Sequence, residues 1–245
     1  MKNKDIVFGT RPVIEAIKSQ KRIEKIFIQK NIKKEPIQKI KILASKFKYN
    51  ISLVPKEKLN RISRKNHQGV ICYISPISYQ PIDEIIQRCY EKGNDPIILI
   101  LDRITDIRNF GAIARVAESA KVDAIIVPEK GSALITSDAI KTSAGALNYV
   151  SICKSKSLKN TTKALKESGL KIISCTEKAE DNIFNIDFIS PTAIILGSEK
   201  DGISQSLLEL SNSKVKIPMF GKIESLNVSS SASIILYELI RQRLS

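Results

Sequence analysis

Between Pro96 and Arg243, short and almost unbroken apolar runs alternate with stretches of helical periodicity, and this alternation constrains the fold more than any other feature of the chain. The runs are Ile97–Leu101, Ala124–Val127, Lys171–Cys175, Ala193–Gly197 and Val215–Ile217. A strand that is apolar at successive positions is built to be buried on both faces, as in a parallel sheet sandwiched between helices. The intervening segments, Gly111–Ala120, Ser137–Ala146, Ser157–Ser168, Ser204–Ser211 and Val228–Arg243, supply those helices. No internal repeat, coiled coil or low-complexity tract interrupts the pattern.

Ahead of Pro96 the chain reads as a smaller α/β unit. Arg11–Lys18 and Ile37–Phe47 have helical spacing, whereas Ile23–Ile28, Ile51–Val54 and Gly69–Ile74 are strand-like. Pro76 to Pro81 and Gly93 to Pro96 then bracket a short helical stretch, Ile82–Glu91, and such punctuation marks a connection between domains. The expected division is a basic domain over residues 1–76, a linker over 77–95 and a larger domain over 96–245.

Charge follows the same division. The chain carries +15, with 40 Lys and Arg against 25 Asp and Glu. Residues 1–76 hold 19 of those cations against 5 acids, while residues 77–245 hold 21 against 20. Phosphate neutralisation needs cations and a small-molecule pocket does not, so a nucleic-acid grip joined to a chemical module accounts for the split. A bias towards lysine throughout the chain would have enriched both parts.

Other classes of function fall away. With 42% hydrophobic and 27% charged residues the chain has the balance of a folded globular protein rather than a disordered one. No apolar run approaches the roughly 18–20 residues that span a bilayer, and MKNKDIVFGT lacks a secretory apolar stretch, so a cytoplasmic protein without a membrane partner is expected. Cys72, Cys89, Cys153 and Cys175 form no C-x-x-C pair, and the single histidine, His67, has no partner at metal-ligand spacing. They are expected to be reduced, buried thiols, with no metal site.

Three strand-end loops carry the candidate chemistry, because ligands of open parallel sheets bind beyond the carboxyl ends of the strands. The first runs from Leu101 through Asn109, Gly111 and Arg115. Taken alone, Asn109 reads as the N-terminal cap of a helix starting near Gly111, with Arg115 in its first turns, where a cation opposes the helix dipole and suggests an anion site. The second, Gly197-Ser-Glu-Lys-Asp-Gly202, has the outline of a phosphate loop but places Ile203 where G-x-x-x-x-G-K-S/T requires lysine. No G-x-G-x-x-G follows any strand, which removes the usual dinucleotide fingerprint. The third, Ser225-Leu-Asn-Val-Ser, opens the last helix with capping residues and free backbone N–H groups that could also cradle a charged group.

Taken together the three loops are more specific. Asn-x-Gly with Arg four residues beyond, Leu-Gly-x-Glu-x-x-Gly after a strand, and Ile-Pro-Met-x-Gly followed by Ser-Leu-Asn-Val-Ser closely resemble the SpoU family of RNA ribose 2′-O-methyltransferases in the SPOUT superfamily. The likeness runs from about Ile97 to Arg243. The front segment, with Phe8-Gly-Thr-Arg-Pro-Val and His67-Gln-Gly-Val, is similar to the substrate-binding domain of the RlmB/TrmH-like subgroup.

The resemblance implies a parallel-sheet SPOUT domain whose C-terminal segment forms a trefoil knot, preceded by a small α/β RNA-binding domain of the ribosomal L30e-like kind. It implies S-adenosylmethionine as cofactor, held at Leu196, Gly197, Ile217, Met219 and Leu226, and a homodimer with the site shared across its interface. The implied catalytic set is Arg115, Asn109, Glu199, Ser225 and Asn227, with Arg115 activating the 2′-hydroxyl. An arginine with a pKa above about 12 resists deprotonation, so stabilising the developing alkoxide is the physically cheaper role. Arg11, Arg61, Arg64, Lys65 and His67 are the implied RNA contacts. The implied substrate is a guanosine of 23S ribosomal RNA. Methylation of transfer RNA, or a non-catalytic RNA-binding role in ribosome assembly, are the alternatives.

Overall fold

The computed structural model describes residues 5–198 and 200–244 and divides the chain into two units. One runs to Ser78 and also takes in Ile135–Asp138; the other comprises Tyr79–Leu134 and everything from Ala139 onward.

The first unit contains β1 (Ile6–Phe8), α1 (Thr10–Lys18), β2 (Ile23–Gln29), α2 (Glu35–Lys46), β3 (Ile51–Val54), α3 (Lys56–Ile62) and β4 (Val70–Ile74). Its sheet runs β1-β4-β2-β3, antiparallel at β1/β4 and β4/β2 and parallel at β2/β3. Helices α1 and α2 bury Val13, Ile17, Ile37, Ile40 and Ala44 against Ile26, Ile28, Val70 and Cys72. These positions follow the 3.6-residue period on the helices and the two-residue period on the strands, which is why the unit owns a separate core. The short β1 and α3 escaped the sequence expectation, since three and seven residues are too few for a period to declare itself.

The second unit is built on a seven-stranded sheet in the order β7-β6-β5-β10-β8-β11-β9, with every neighbouring pair parallel. The strands are β5 (Ile97–Asp102), β6 (Ala124–Pro128), β7 (Ser151–Ser155), β8 (Lys171–Cys175), β9 (Asp181–Asn182), β10 (Thr192–Gly197) and β11 (Ser213–Lys216). All six residues of β5 are buried, as continuous apolar character required. Strand β7 was not expected from sequence. It is the outermost strand of the sheet, paired with β6 and bridged on its other side only at Tyr79, and its Ser-Ile-Cys-Lys-Ser run lacks the apolar continuity of the central strands.

The helices are α4 (Ile82–Glu91), α5 (Ile107–Ser119), α6 (Ser137–Thr142), α7 (Leu158–Glu167), α8 (Gln205–Leu208) and α9 (Val228–Leu244). On one sheet face, Ile85, Ile86 and Cys89 of α4 pack with Leu165 of α7, Leu207 of α8, and Ile98, Ile126, Ile172 and Ile195 of the strands. The stretch expected to link the domains therefore contains a helix packed into the second unit's core. On α9, Ala232, Ile235, Leu236 and Leu239 are buried, and α9 packs on α5 and β10. Its end is pinned by Arg243, whose guanidinium donates to the carbonyls of Asp95 (2.7 Å), Ser190 (2.8 Å) and Phe188 (3.1 Å). Helices α6 and α8 are shorter than expected: Ala144 and Gly145 turn left-handed after α6, and α8 stops after four residues. No helix among the described residues is long and apolar enough to cross a membrane.

Candidate functional site

Registration of the central strands gathers the loops. Asp102, at the end of β5, sits opposite Gly197, at the end of β10, while Leu196 pairs with Cys175 on β8 and Val215 of β11 pairs with Cys175 from the other side. The carboxyl ends of β5, β10, β8 and β11 thus lie side by side, the edge at which parallel sheets bind ligands. A cleft of about 290 Å³ opens there, lined by Cys175–Lys178, Leu196–Ser198, Lys200–Ile203, Leu208, Glu224–Leu226, Val228 and Ser231. A smaller recess of about 70 Å³ adjoins it, adding Ile217 and Met219 and sharing Thr176, Ser225 and Leu226. Leu196, Gly197, Ile217, Met219 and Leu226, the residues expected to hold a cofactor, therefore all border one continuous depression.

Gly197 has no side chain for a steric reason. A Cβ there would collide with the backbone of Gly202 and Ile203, because the loop folds straight back on itself. Gly202 N–H donates to the Ser198 carbonyl (2.9 Å), Asp201 N–H to Ser198 Oγ (3.1 Å), and Gly202 turns left-handed at φ 64°.

An ion pair between buried Asp102 and partly exposed Arg103 ties this loop to β5. Asp102, 4% exposed, accepts from the Ser204 N–H (2.7 Å) and from Arg103 Nε (3.0 Å), and Arg103 also reaches the Gly202 carbonyl (3.1 Å). The hydrogen bond to Asp102 raises the Arg103 pKa above its ordinary value. Arg103 adopts φ 62°, a left-handed conformation that costs a non-glycine residue strain and is retained where surrounding structure demands it. Sequence reasoning did not single out this pair. The only signal was an acid at the end of an otherwise apolar strand.

Helix α5 corrects the sequence expectation. It begins at Ile107, capped by Asp106, whose carboxylate accepts from the N–H groups of Arg108 (2.7 Å) and Asn109 (3.3 Å) and is held below its usual pKa chiefly by the Arg108 side chain. Asn109 is thus inside the first turn rather than the cap. Arg115 lies beyond the second turn, so the argument from the helix dipole no longer applies to it. Gly111 does not ease a turn: a Cβ there would lie 2.7 Å from Thr142 Cβ, so the glycine lets α5 approach the Thr142 side chain and the Ser143 backbone nitrogen.

Asn227 caps α9, its side-chain oxygen accepting from Ser229 N–H (2.9 Å) and Ser229 Oγ (2.6 Å). Its amide nitrogen donates to Asn109 Oδ1 (3.2 Å), joining the first and third loops. Ser225 lies on the cleft wall. Arg115 is exposed on α5, six residues from Asn109 and so about 120° around the helix from it. It makes no side-chain hydrogen bond or ion pair among the described residues and does not line the cleft. Glu199 lies outside the described residues.

Cys175 borders the cleft, but burial pushes its thiol pKa to about 12, which removes thiolate nucleophilicity. In the first unit, Arg11 is exposed on α1, Arg61 in the last turn of α3, and Arg64 and Lys65 in the loop that follows. His67 is 6% exposed, with Nδ1 accepting from Gly69 N–H (3.0 Å) and Nε2 paired with Asn60 Oδ1 (2.9 Å). Burial, then Lys56, lowers its pKa, so the ring is a neutral element of the loop's architecture.

Residues 96–237 match the model of the SpoU rRNA methylase family, and residues 6–80 match that for RNA 2′-O ribose methyltransferase substrate binding. The chain is 31% identical to YacO of Bacillus subtilis, assigned to the TrmH family of tRNA/rRNA methyltransferases, over 98% of this chain and 96% of that one. It is 35% identical to a Staphylococcus saprophyticus protein of the same assignment, over 97% and 96%. Among solved structures, the SpoU methyltransferase AviRb of Streptomyces viridochromogenes with its cofactor AdoMet superposes at a TM-score of 0.62, with 23% identity over 98% and 90% of the two chains. The TrmH/SpoU tRNA modifying enzyme of A. aeolicus gives 0.57 at 28% identity, over 66% and 84%. The chain belongs to the SpoU/TrmH family of RNA methyltransferases, which use S-adenosylmethionine.

Proposed function

We propose that this protein methylates the 2′-hydroxyl of a guanosine ribose in 23S ribosomal RNA. Residues 1–76 grip the RNA, 77–95 link, and 96–245 carry out the chemistry as a homodimer with a C-terminal trefoil knot. The observation that carries this reading is the cleft at the ends of β5, β10, β8 and β11, walled in part by the third motif loop, which the Asn109–Asn227 hydrogen bond ties to the first.

The cleft suits the cofactor. Leu196, Leu226, Ile217 and Met219 offer apolar contact to an adenosine, Thr176 and Ser225 offer hydroxyls, and three carboxylates, Glu177, Asp201 and Glu224, against two ammonium groups, Lys178 and Lys200, favour a cationic ligand. S-adenosylmethionine, when bound, supplies an electrophilic methyl group on a sulfonium. The protein's own task is to present the 2′-oxygen in line with that methyl, and alignment of bound reactants contributes roughly 7–11 kcal/mol. Arg115 stabilises negative charge developing on the 2′-oxygen, while Asn109, Ser225 and Asn227, with Glu199, orient Arg115 and the ribose. Because Arg115 does not line the cleft of its own chain, pairing of two copies is what brings an arginine to each site. A cytoplasmic location accords with an RNA substrate.

Mapping ribose methylation in cells with and without the protein tests the proposal. Loss at one guanosine of the large-subunit RNA is the expected result. Loss confined to transfer RNA, the other substrate in the relatives' names, would transfer the same reaction to that RNA, and an unchanged methylation map would remove the activity.

A further inference from the structure

The first unit contains a cavity of about 700 Å³, lined by its own residues alone and within the ~300–1,000 Å³ range of small-molecule sites. Its walls come from the end of β2 and the following turn, from α3, and from the loop entering β4. Lys33, Lys34, Lys56 and Arg64 line it without a carboxylate partner among the described residues, and no Asp or Glu is among its lining residues. A fifth cation, Lys65, stands over the Phe8 ring at 5.5 Å.

The amides around the cavity are of two kinds. Asn60 Oδ1 is taken by His67, and Gln68 Oε1 accepts from Thr10 N–H and Oγ1, both at 2.9 Å, so these two hold the fold. The side-chain amides of Gln29 and Asn31 have no hydrogen-bond partner among the described residues, although Gln29 is half-buried. The backbone is also unusual here. Asn31 (φ 58°), Gln68 (φ 51°) and Gly69 (φ 83°) are all left-handed, and strained non-glycine residues concentrate where ligands are held.

A lysine-rich surface takes any polyanion, but a cavity requires the ligand to enter it. Unopposed cations beside unused amides suit a group that brings a phosphate and a hydrogen-bonding edge together, which is a nucleotide. Paired RNA keeps its bases stacked and inaccessible, whereas loop nucleotides can be splayed out and read on their edges. We propose that this cavity seats one unstacked nucleotide of a single-stranded RNA loop. Its phosphates contact Lys33, Lys34, Lys56 and Arg64, and its base edge is read by Gln29 and Asn31. The inference rests on the reading that residues 1–76 grip RNA, and it adds recognition of a position other than the methylated nucleotide.

The test uses the full chain with four RNA hairpins, each with a loop of a single base type, and a blunt duplex of equal phosphate number, titrated across a salt series. Wild type is expected to bind one loop type at least about tenfold more tightly than the duplex, the scale of a single good base contact. Gln29→Leu combined with Asn31→Gly, the glycine preserving the left-handed backbone, should equalise all five RNAs without changing the salt slope or Tm. Lys56→Gln with Arg64→Gln should lower the salt slope by about 1.4, roughly 0.7 per lost phosphate contact, and keep the preference. A wild-type protein indifferent to loop type, or an amide variant that keeps its preference, overturns the nucleotide site and leaves the RNA grip standing. Salt-independent or absent binding to every RNA overturns the grip itself, and the cavity proposal with it.

Discussion

The two units solve opposite problems with opposite materials. The first collects charge: its cavity is walled by cations without carboxylate partners among the described residues, on a four-stranded sheet with a separate core. The second, nearly neutral over residues 77–245, relies on backbone proximity: Gly197 against Gly202, Gly111 against Thr142, and Asp102 holding the Ser204 amide. The difference teaches that gripping a polyanion tolerates individual replacements because its contacts are many and additive, whereas aligning two reactants depends on single atoms.

The sharpest break in that comparison comes from Arg115. On the proposed mechanism, Arg115→Ala keeps cofactor binding by calorimetry but loses methyl transfer by at least about a hundredfold, the scale of deleting one charge-stabilising donor. Near-normal turnover would remove this residue from the chemistry. Gly111→Ala should come next, since the added methyl meets Thr142 and the Ser143 backbone amide; overpacking of this kind costs about 1–3 kcal/mol and would appear as a lowered Tm.

Asp102→Asn leaves the strand intact but weakens the hold on Ser204 and Arg103, so the KM for the cofactor should rise about tenfold, equivalent to roughly 1.4 kcal/mol. Turnover at saturating cofactor should change little, and Asp102→Glu should not rescue it, because a longer side chain cannot occupy the same buried position. An equal fall in kcat would instead place Asp102 nearer the chemistry.

The smallest effect belongs to the first unit and to pH. His67 has a folded pKa below the ordinary 6.5, so the unfolded chain takes up a proton first as pH falls. Its contribution to stability is therefore fully present above about pH 6.5 and is lost progressively below that value as the folded pKa is approached. Chemical denaturation at pH 7.5 and 5 should register this loss, and His67→Gln should flatten the dependence. A His67→Gln protein with the wild-type pH response would assign the acid sensitivity elsewhere.

Much of this was legible in the chain itself. The buried central strands announced themselves, with Lys171–Cys175 bounded as expected and β5 and β10 within a residue, because burial on both faces leaves continuous apolar runs. The three motif loops were likewise visible. The start of α5 was misplaced because Asn109-x-Gly111 is a plausible cap on local grounds, while Asp106, the actual cap, is equally plausible and only geometry decides between them. The Asp102–Arg103 latch and the Cys175–Lys178 wall were not legible. They join the site through strand register between segments far apart in the chain, which local periodicity does not encode.

The pairing of Asp102 with Gly197 has a consequence for the order in which the protein is made. Partners about a hundred residues apart cannot meet until most of the polypeptide has emerged, and such non-local parallel contacts are slow to form. The sheet of the first unit, by contrast, draws all four strands from residues before Ser78. If the first unit grips RNA as proposed, a nascent chain therefore acquires that grip well before it can modify its substrate, since domains generally fold from the N-terminus during synthesis.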